Sequence, residues 1–475
     1  MLDQAAPLQA KMLTHGALTD GSARMEVLNP ATAAVIGDAP RCSKEELDAV
    51  MDAARAAYPA WRDAPEAVRR EAVSGLAPRI EAHLGEIAAI LTAEQGKPLA
   101  MAKGEILSLL NFLKAQAKIE LPVVVNEDHD KRVSKTWRVP LGVVAAISPW
   151  NFPVMLAWWK IAPALLAGNV VVLKPAPQTP LAALKVAELV ADLFPAGVLQ
   201  VISGGDELGP WVTAHPQVDK ISFTGSTATG RRVMDSAAPS LKRLTLELGG
   251  NDPAIVFDDV NVKKTAAKLF WAAFSNSGQI CIAAKRVYVQ RGIYDAFRDA
   301  LAEVAAQVKV GDGAEEGTLV GPIQNRTQFD RVNELLADSR AAGHQFAFEG
   351  EAPQGPGYFI PVTILDNPPE DSRIVREEQF GPVLPLLVFD DEDEVIARAN
   401  DTEYGLGATI WTDDLDKAER VSRRIEAGTV WINEAIYLSP DAAFGGRKQS
   451  GLGAEHGEDA IMAVTEPQTV VMRRG

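Results

Sequence analysis

Cysteine is almost absent from this 475-residue chain, which contains only Cys42 and Cys281. Two cysteines cannot form the disulfide framework of a small secreted protein, and such sparse use of cysteine favours a reducing compartment. The segment from Met1 to Asp20 lacks a positively charged region followed by an apolar run, so it does not look like a secretory signal peptide. The sequence therefore predicts a cytoplasmic protein.

Clusters of basic or metal-binding side chains are also missing. The chain carries 47 lysines and arginines against 63 aspartates and glutamates, a net charge of −16, and no basic stripe stands out. Surfaces that bind nucleic acid need such a stripe, so no nucleic-acid partner is expected. The six histidines form no group with cysteine or aspartate at metal-ligand spacing, so no metal site is expected.

The one long uncharged stretch, from Val139 to Trp159, does not have the pattern of a membrane helix. Pro149, Asn151 and Pro153 interrupt it near its middle, and these residues are typical of turns rather than of a continuous apolar helix. The stretch is interpreted as a buried strand, a loop and the start of a helix, and no membrane association is expected.

The pattern along the chain predicts more than one α/β unit, because a chain of this length forms roughly two or three domains. A capping box at Ser43 opens an Ala-rich helical pattern that continues to about Lys118. From Gly142 onward, short β-branched strands alternate with helices, which indicates a parallel sheet covered on both faces and a doubly wound fold. Four such strands are expected at 143–147, 169–173, 198–202 and 220–223.

Two further regions have patterns of their own. After Gly250 the alternation of strands and helices resumes, which predicts a second α/β domain. The segment 121–140 alternates apolar and charged residues like a hairpin with polar faces. The tail at 465–473 alternates in the same way and is expected to pair with that hairpin.

A cysteine and a glutamate are the first candidates for catalytic residues. Cys281 follows Ser277, Gly278, Gln279 and Ile280, and Glu247 lies 34 residues earlier in a Leu-Glu-Leu-Gly-Gly-Asn run. A cysteine with a carboxylate available as base is suited to covalent catalysis. A lone cysteine is more often an inert buried side chain, so the neighbouring motifs must decide.

Several candidate ligand-binding residues follow predicted strands, where parallel sheets bind their ligands. Asn151 can donate its side-chain amide to a developing oxyanion, although a turn asparagine that bonds its own backbone fits equally well. Lys174 could hold a ribose or a phosphate, or simply be solvated. The turn from Gly225 to Gly230 places backbone N–H groups at a helix start that favours a phosphate, and Glu378 lies in a loop that looks ordered.

Taken together, seven motifs resemble those of the aldehyde dehydrogenase superfamily, in its order and at its spacings. The resemblance covers the chain from about residue 25 to its end. The motifs are Pro149-Trp150-Asn151-Phe152-Pro153, Lys174-Pro175, Phe223-Thr224-Gly225-Ser226-Thr227, Glu247-Leu248-Gly249-Gly250, Gly278-Gln279-Ile280-Cys281, Glu378-Gln379-Phe380-Gly381-Pro382 and Phe444-Gly445-Gly446-Arg447-Lys448-Gln449-Ser450-Gly451.

The resemblance implies oxidation of an aldehyde to an acid with a nicotinamide cofactor. Cys281 would be the nucleophile, with Asn151 and the Cys281 backbone N–H as the oxyanion hole. Glu247 would activate the water that hydrolyses the thioester, which favours release of a free acid over transfer to coenzyme A. The implied domains are a cofactor-binding domain at 1–121 and 141–249, a catalytic domain at 250–449, and an oligomerisation element at 122–140 and 450–475. That element implies a homodimer or homotetramer.

The resemblance also implies a cofactor site for NAD or NADP. Its residues would be Ser148, Trp150, Lys174, Pro177, Phe223, Gly225, Ser226, Gly249, Glu378 and Phe380. Many NAD-preferring members have a glutamate where this chain has Pro177. Because a missing carboxylate removes repulsion against a 2′-phosphate, the sequence predicts use of NADP as well as, or instead of, NAD.

The substrate pocket implied by the resemblance is apolar, and no arginine lies beside Cys281 to bind a carboxylate. An uncharged aliphatic or aromatic aldehyde is expected, with a dicarboxylic semialdehyde as the alternative. A cysteine hydrolase would need a histidine partner in a recognisable triad, and an inactive relative would be expected to have lost Cys281 or Glu247. The pocket residues would be Met155, Trp158, Trp159, Phe274, Ile280, Ile282, Tyr437 and Phe444.

Overall fold

A computed structural model describes residues 7–475, so the first six residues of the predicted cofactor-binding domain lie outside the described part. An eight-stranded sheet forms the framework of the amino-terminal half. Its five central strands are parallel, and antiparallel strands complete both edges. In spatial order the strands are Gly451–Leu452, Arg243–Glu247, Lys220–Thr224, Val143–Ile147, Val170–Lys174, Leu199–Val201, Met12–Thr14 and Ala17–Thr19.

A second sheet of seven strands follows in the carboxyl-terminal half. Only its first pair is antiparallel, and the other neighbours are parallel. The strands are, in spatial order, Gln345–Glu349, Thr363–Asp366, Val383–Phe389, Ala284–Gln290, Asp252–Val256, Gly407–Trp411 and Thr429–Ile432. The predicted α/β fold with parallel sheets is therefore confirmed.

Two small sheets complete the β structure. In one, Leu8–Gln9 pairs with Val35–Arg41, which also pairs with Ala23–Leu28. In the other, the tail strand Thr465–Arg473 pairs with the second strand of a hairpin. That hairpin consists of Val124–His129 and Arg132–Pro140, so the expected pairing of the tail with the hairpin is confirmed.

The predicted helical region before residue 118 is divided into five helices rather than one continuous run. Pro65 and Pro98 cap two of them, as expected for a residue that cannot continue a helix. Ser43 forms the predicted capping box with Glu46. The five helices are Lys44–Arg62, Glu66–Ser74, Leu76–Ala82, Leu84–Gln95 and Leu99–Gln116.

The remaining α-helices of the described residues follow the strand Val143–Ile147. The helix expected at 262–276 ends at Phe274 and gives way to a 3₁₀ turn at Ser275–Gly278. The helices are Met155–Ala167, Leu181–Val190, Leu208–Ala214, Thr227–Ala237, Val262–Phe274, Tyr294–Ala305, Arg326–Ala341, Arg373–Arg376, Glu392–Asn400, Leu415–Ser422 and Gly457–Ala463. Within residues 7–475, no helix is long and apolar enough to span a membrane.

The strand register brings the functional motifs to one edge of the first sheet. Ile147 pairs with Lys174 and with Phe223, while Thr224 pairs with Glu247. The loops that leave these four parallel strands therefore start side by side at their carboxyl ends, where open α/β sheets bind ligands.

Candidate active site

Glu247 ends its strand as a buried carboxylate without a hydrogen-bond partner. Glu247 is only 4% exposed, and neither of its side-chain oxygens is hydrogen-bonded within the described chain. Burial and the nearby charge of Glu455 raise the pKa of the Glu247 carboxyl well above its ordinary value, and Lys160 opposes this effect. An unpaired buried carboxylate with a raised pKa is suited to accept a proton near neutral pH.

Cys281 lies at the end of a strained loop. Asn276 and Ser277 adopt left-handed φ angles of 50° and 59°, which cost about 1–3 kcal/mol each in non-glycine residues. At the next position, Gly278, a Cβ would lie 2.1 Å from the Gly381 carbonyl oxygen. Glycine is therefore required there, and the loop turns sharply toward Cys281.

Hydrogen bonds from several elements hold this strained loop. The Ser277 hydroxyl donates to the Gly321 carbonyl at 2.8 Å, and the Asn276 amide donates to the Asn151 carbonyl at 3.2 Å. The Asn151 side-chain amide donates to the Gln279 carbonyl at 3.0 Å. The structure thus brings Asn151 to the loop that carries Cys281.

Lys285 is a functional candidate that sequence reasoning missed. Its ammonium donates to the carbonyl oxygens of Ile280 at 2.8 Å and Cys281 at 2.7 Å, and it lies 3.5 Å from a Glu378 carboxylate oxygen. Burial raises the pKa of the Cys281 thiol to about 12, and Lys285 opposes this by favouring the thiolate. The only sequence signal was a lysine four residues after the cysteine.

Cys281 and Glu247 line the same cavity, which has a volume of about 450 Å³. Six of the eight predicted pocket residues line it as well. They are Met155, Trp159, Ile280, Ile282, Tyr437 and Phe444.

The prediction was wrong for Trp158 and Phe274, neither of which lines this cavity. Trp158 is fully buried in the amino-terminal core, since consecutive helical residues point in directions about 100° apart and Trp159 is the one that faces the cavity. Phe274 is fully buried in a different core, where its ring packs 4.7 Å from that of Phe270.

A buried polar network on the cavity wall was also missed. Lys160 forms an ion pair with Glu455 and donates to the Thr224 hydroxyl at 2.6 Å, and the Ser222 hydroxyl donates to Glu455 at 3.3 Å. Glu455 and Thr224 line the cavity. Lys160, Ser222 and Glu455 are far apart in the sequence and belong to none of the seven motifs, so spacing could not reveal the network.

A second buried ion pair supports the loop that carries Asn151. Lys97 donates to Glu105 at 2.6 Å and to the Asn151 carbonyl at 2.8 Å, and its ammonium lies 3.8 Å from the centre of the Phe152 ring. The other Glu105 oxygen accepts from the Met155 backbone N–H at 3.1 Å. The pair therefore connects the helix Leu99–Gln116 to the Asn151 loop.

The predicted cofactor residues around the first sheet fit a dinucleotide. Ser226 caps the helix Thr227–Ala237, whose free N–H groups favour a phosphate. At Gly225 a Cβ would lie 2.5 Å from the Phe223 ring, so only glycine fits in this turn. The Ser148 hydroxyl is buried without a partner, which leaves it free to bond one.

Lys174 and Pro177 lie at the end of the next strand. Lys174 is 5% exposed, and burial lowers the pKa of its ammonium to about 8. The ammonium donates only a long bond of 3.3 Å to the Pro175 carbonyl, so it retains donors for a ligand. Pro177 is half-buried in the turn that follows.

The other predicted cofactor residues lie beside the Cys281 loop. Glu378 accepts from the Gly250 backbone N–H at 3.1 Å, and a Cβ at Gly249 would lie 2.5 Å from its second oxygen. The rings of Trp150 and Phe380 meet edge to face at 5.3 Å. This geometry fits a ribose on Glu378 and a flat ring close to Cys281.

Comparison with known proteins identifies what this chain is similar to. The sequence model of the Aldehyde dehydrogenase family matches residues 18–470. A Pseudomonas protein named "Probable aldehyde dehydrogenase" is 43% identical over 97% of this chain and 93% of its own. The Escherichia coli succinate-semialdehyde dehydrogenase [NADP(+)] GabD is 41% identical, covering 91% and 90%. The Pseudomonas fluorescens phenylacetaldehyde dehydrogenase is 40% identical, covering 94% and 92%.

Solved structures agree with these relatives. An aldehyde dehydrogenase from Bacillus cereus in complex with NAD+ matches with a TM-score of 0.95 and 36% identity, covering 98% of this chain and 97% of its own. An NADP-dependent enzyme from Escherichia coli matches with a TM-score of 0.94 and 38% identity, covering 98% of both chains. The neighbours therefore include one that binds NAD+ and one described as NADP-dependent.

Proposed function

This chain belongs to the aldehyde dehydrogenase family and is an NAD(P)-dependent oxidoreductase, and on that premise we propose that it oxidises an uncharged aldehyde to the free acid. The observation that carries this proposal is that Cys281 and Glu247 line one cavity of about 450 Å³. A nucleophile and a base that share one substrate space can form a covalent intermediate and then hydrolyse it.

Cys281 begins the reaction as a thiolate, because the thiol is a poor nucleophile. Its sulfur adds to the aldehyde carbon, and the carbonyl oxygen becomes the oxyanion of a thiohemiacetal. The Cys281 backbone N–H and the Asn151 amide donate to this oxyanion, and each such donor lowers the barrier by about 3 kcal/mol. Asn151 is held in place by its bond to the Gln279 carbonyl.

The thiohemiacetal then loses hydride and becomes a thioester. The nicotinamide of the bound cofactor supplies the hydride acceptor. Glu378, Trp150 and Phe380 would hold the nicotinamide end of the cofactor, and Lys174 and the start of the helix after Ser226 would hold its adenosine ribose and phosphates. These residues would position the cofactor against the thiohemiacetal on Cys281. Positioning of this kind supplies a large part of the rate enhancement when two bound groups react.

Glu247 completes the reaction by removing a proton from water as the water attacks the thioester carbon. The C–S bond breaks, the acid leaves, and the thiol of Cys281 is regenerated. Because Glu247 is unpaired in the described chain and its pKa is raised, it is a stronger base than an exposed carboxylate. A resident base of this kind favours water over an external thiol as the acyl acceptor.

The cavity favours an uncharged substrate. The ionisable residues that line it, besides Cys281, are His456, Tyr437 and the carboxylates of Glu105, Glu247 and Glu455, with no lysine or arginine among its described lining residues. Glu105 and Glu455 are already paired with Lys97 and Lys160, so a second carboxylate on the substrate would find no free cation among the lining residues, which is costly in a buried site. The relative GabD is a succinate-semialdehyde dehydrogenase, so a dicarboxylic semialdehyde remains the second candidate.

A substrate panel tests these proposals. Benzaldehyde-type, medium-chain and succinate-semialdehyde substrates are each offered with NAD and with NADP, and reduced nicotinamide is followed by absorbance. We expect the aromatic and medium-chain aldehydes to have the higher kcat/KM. A clear preference for succinate semialdehyde would overturn the uncharged-substrate proposal, and no turnover of any aldehyde would overturn the activity.

The same panel tests the cofactor preference. Pro177 places no carboxylate where a 2′-phosphate would be repelled, so we propose that NADP is used as well as, or instead of, NAD. An NADP efficiency more than about a hundredfold below that of NAD, a difference of about 2.7 kcal/mol, would overturn this proposal.

We also propose that the enzyme is a cytoplasmic homodimer or homotetramer. A reducing compartment keeps the Cys281 thiol available, and both cysteines are free in the structure. The sheet formed by the hairpin and the tail exposes a set of apolar side chains suited to contact a second copy. These are Val124, Val125, Val470, Val471 and Met472.

A further inference from the structure

His456 is a buried polar residue on the cavity wall that the proposed reaction does not use. It lines the same cavity as Cys281 and Glu247 and is only 2% exposed. Its Nε2 atom is buried and has no hydrogen-bond partner in the described chain. A buried nitrogen without a partner is costly unless a ligand or a water provides one.

The other ring nitrogen determines what Nε2 can do. Nδ1 of His456 lies 3.0 Å from the carbonyl oxygen of Ser439, and because a carbonyl can only accept, Nδ1 carries the hydrogen. Burial lowers the pKa of the imidazole, with Glu455 and Lys160 acting in opposite directions. The ring is therefore neutral near pH 7, and Nε2 presents a lone pair that accepts a hydrogen bond.

The surroundings of this lone pair are aromatic. The His456 ring lies 4.1 Å from that of Trp159, 5.0 Å from that of Phe112 and 6.1 Å from that of Phe444. All three line the cavity. The indole Nε1 of Trp159 is a donor that is likewise buried without a partner. An unpaired acceptor and an unpaired donor thus belong to adjacent rings in an apolar wall.

The backbone at His456 supports a role other than packing. Its φ is 68° and its ψ is 162°, a backbone conformation that is adopted almost only by glycine. An apolar side chain would fill a space between three aromatic rings without leaving a nitrogen unpaired. Strain and an unsatisfied polar group at one cavity position together point to a ligand contact.

A hydroxyl group satisfies both orphaned atoms, because it donates one hydrogen bond and accepts others. A carboxylate does not, because its oxygens cannot donate to the Nε2 lone pair and would also face Glu455. An apolar group leaves both nitrogens unpaired. The ligand chemistry that fits this wall is therefore a neutral hydroxyl on an apolar frame.

We propose that His456 determines substrate specificity by accepting a hydrogen bond at Nε2 from a hydroxyl group on the aldehyde substrate, while Trp159 donates to the same oxygen. This proposal rests on the proposed aldehyde oxidation and narrows its substrate class to hydroxylated apolar aldehydes. Sites built to bond a hydroxyl discriminate strongly against analogues that lack it, because their own polar groups are then left unpaired.

Matched aldehyde pairs test the proposal. The ortho, meta and para hydroxybenzaldehydes are each compared with the corresponding methylbenzaldehyde, and an ω-hydroxyalkanal is compared with the alkanal of equal length. The readout is the ratio of kcat/KM within each pair. We expect the wild type to prefer the hydroxyl in at least one pair by about tenfold or more.

Three variants separate the role of His456 from a structural one. His456→Leu is expected to bring that ratio close to one, and His456→Gln, which keeps an acceptor, to retain part of the preference. His83→Leu, at an exposed histidine, is the matched control and should leave the ratio as in the wild type. If His456→Leu does not fold, His456→Asn is the second variant, because it keeps a polar side chain and withdraws the acceptor from the position of Nε2.

The outcomes distinguish this proposal from the proposed function. Turnover without a hydroxyl preference in any pair, as expected if a water satisfies Nε2, would overturn the role of His456 alone. A preference that survives both His456→Leu and His456→Asn would do the same. No reduced nicotinamide from any aldehyde would overturn the aldehyde oxidation and this proposal with it.

Discussion

At the scale of single residues, burial and nearby charges determine the pKa values of the two reactive side chains. Cys281 and Glu247 each have a raised pKa because they are buried, so burial favours the neutral form of both groups. Lys285 opposes the shift at the thiol and Lys160 opposes it at the carboxyl. The two reactive groups are thus balanced between a low-dielectric site, which favours their neutral forms, and a nearby cation.

The first prediction concerns the pH dependence of thioester hydrolysis. Glu247 acts as a base only when ionised, so the hydrolysis rate should rise with pH through a pKa above that of an ordinary carboxyl. Glu455 is one cause of that raised pKa. Glu455→Gln removes the like charge and frees Lys160 from its ion pair, and both changes lower the pKa of Glu247. The midpoint of the hydrolysis rate should therefore move to lower pH.

Rapid-mixing kinetics that separate the hydrolysis phase from hydride transfer measure this midpoint. Glu458→Gln is the control, because Glu458 is exposed on the neighbouring helix, and its midpoint should match that of the wild type. A midpoint that stays in place or moves upward in Glu455→Gln would contradict the assignment of Glu247 as the base.

At the residue scale, sequence reasoning selects residues that lie in recognisable motifs, such as Cys281, Glu247 and Asn151. In the structure Cys281 and Glu247 line one cavity, and Asn151 is hydrogen-bonded to the loop that carries Cys281. Trp158 could not be separated from Trp159 without the orientation of their helix. His456 and Lys160 belong to no motif. They reach the cavity wall only through contacts between segments almost 300 residues apart, so the sequence alone could not select them.

At the scale of elements, the parallel strands position the site and buried pairs hold its loops. The strand order could be anticipated only in part, because β-branched runs reveal strands but not which strands neighbour each other. The Cys281 loop could not be anticipated at all, since three consecutive left-handed residues from Asn276 to Gly278 have no local sequence rule beyond the glycine. Its geometry is imposed by partners such as Gly321 and Asn151.

The second prediction tests the support of the Asn151 loop by Lys97. Lys97→Met removes the donor to the Asn151 carbonyl and leaves Glu105 buried without its cation. Breaking one side of a buried ion pair costs about 3–5 kcal/mol, so the free energy of unfolding should fall by that amount and kcat should fall as Asn151 loses its position. Chemical denaturation and steady-state kinetics measure both quantities.

Lys103→Met is the matched control, because Lys103 lies on the same helix as Glu105 but is exposed. It should change the free energy of unfolding by less than about 0.5 kcal/mol. Adding Glu105→Gln to Lys97→Met should recover part of the lost stability, since no buried charge remains. Equal stability of the Lys97 and Lys103 variants would show that the pair does not hold the loop.

At the scale of the whole molecule, the sheet formed by the hairpin and the tail is the surface that a single chain leaves uncovered. Val125 is 55% exposed, Val471 is 60% exposed and Met472 is 59% exposed. Several large apolar side chains exposed on one small sheet are typical of a surface that contacts another protein. The alternating pattern of the sequence predicted this sheet. The expectation that the sheet contacts a second subunit came only from the family resemblance.

The third prediction is that charge on this surface separates the subunits. A chain with Val125→Asp and Val471→Asp should have a smaller mass by light scattering than the wild type, for which we expect a dimer or a tetramer. Leu415→Asp is the control, because Leu415 is 65% exposed at the start of another helix, where an acidic residue is favourable. A wild type with the mass of one chain would contradict the proposed assembly.

The most direct measurement is the intact mass of Glu247→Gln after incubation with an aldehyde substrate and the oxidised nicotinamide cofactor. Without the base, the acyl group should remain on the enzyme, so we predict a mass increase equal to one acyl group, located on Cys281 by peptide mapping. The variant Cys281→Ala in the same background should show no increase. Catalysis through Cys281 would be contradicted if the enzyme produced reduced nicotinamide but stayed unmodified. It would also be contradicted if the acyl group were found on any other residue.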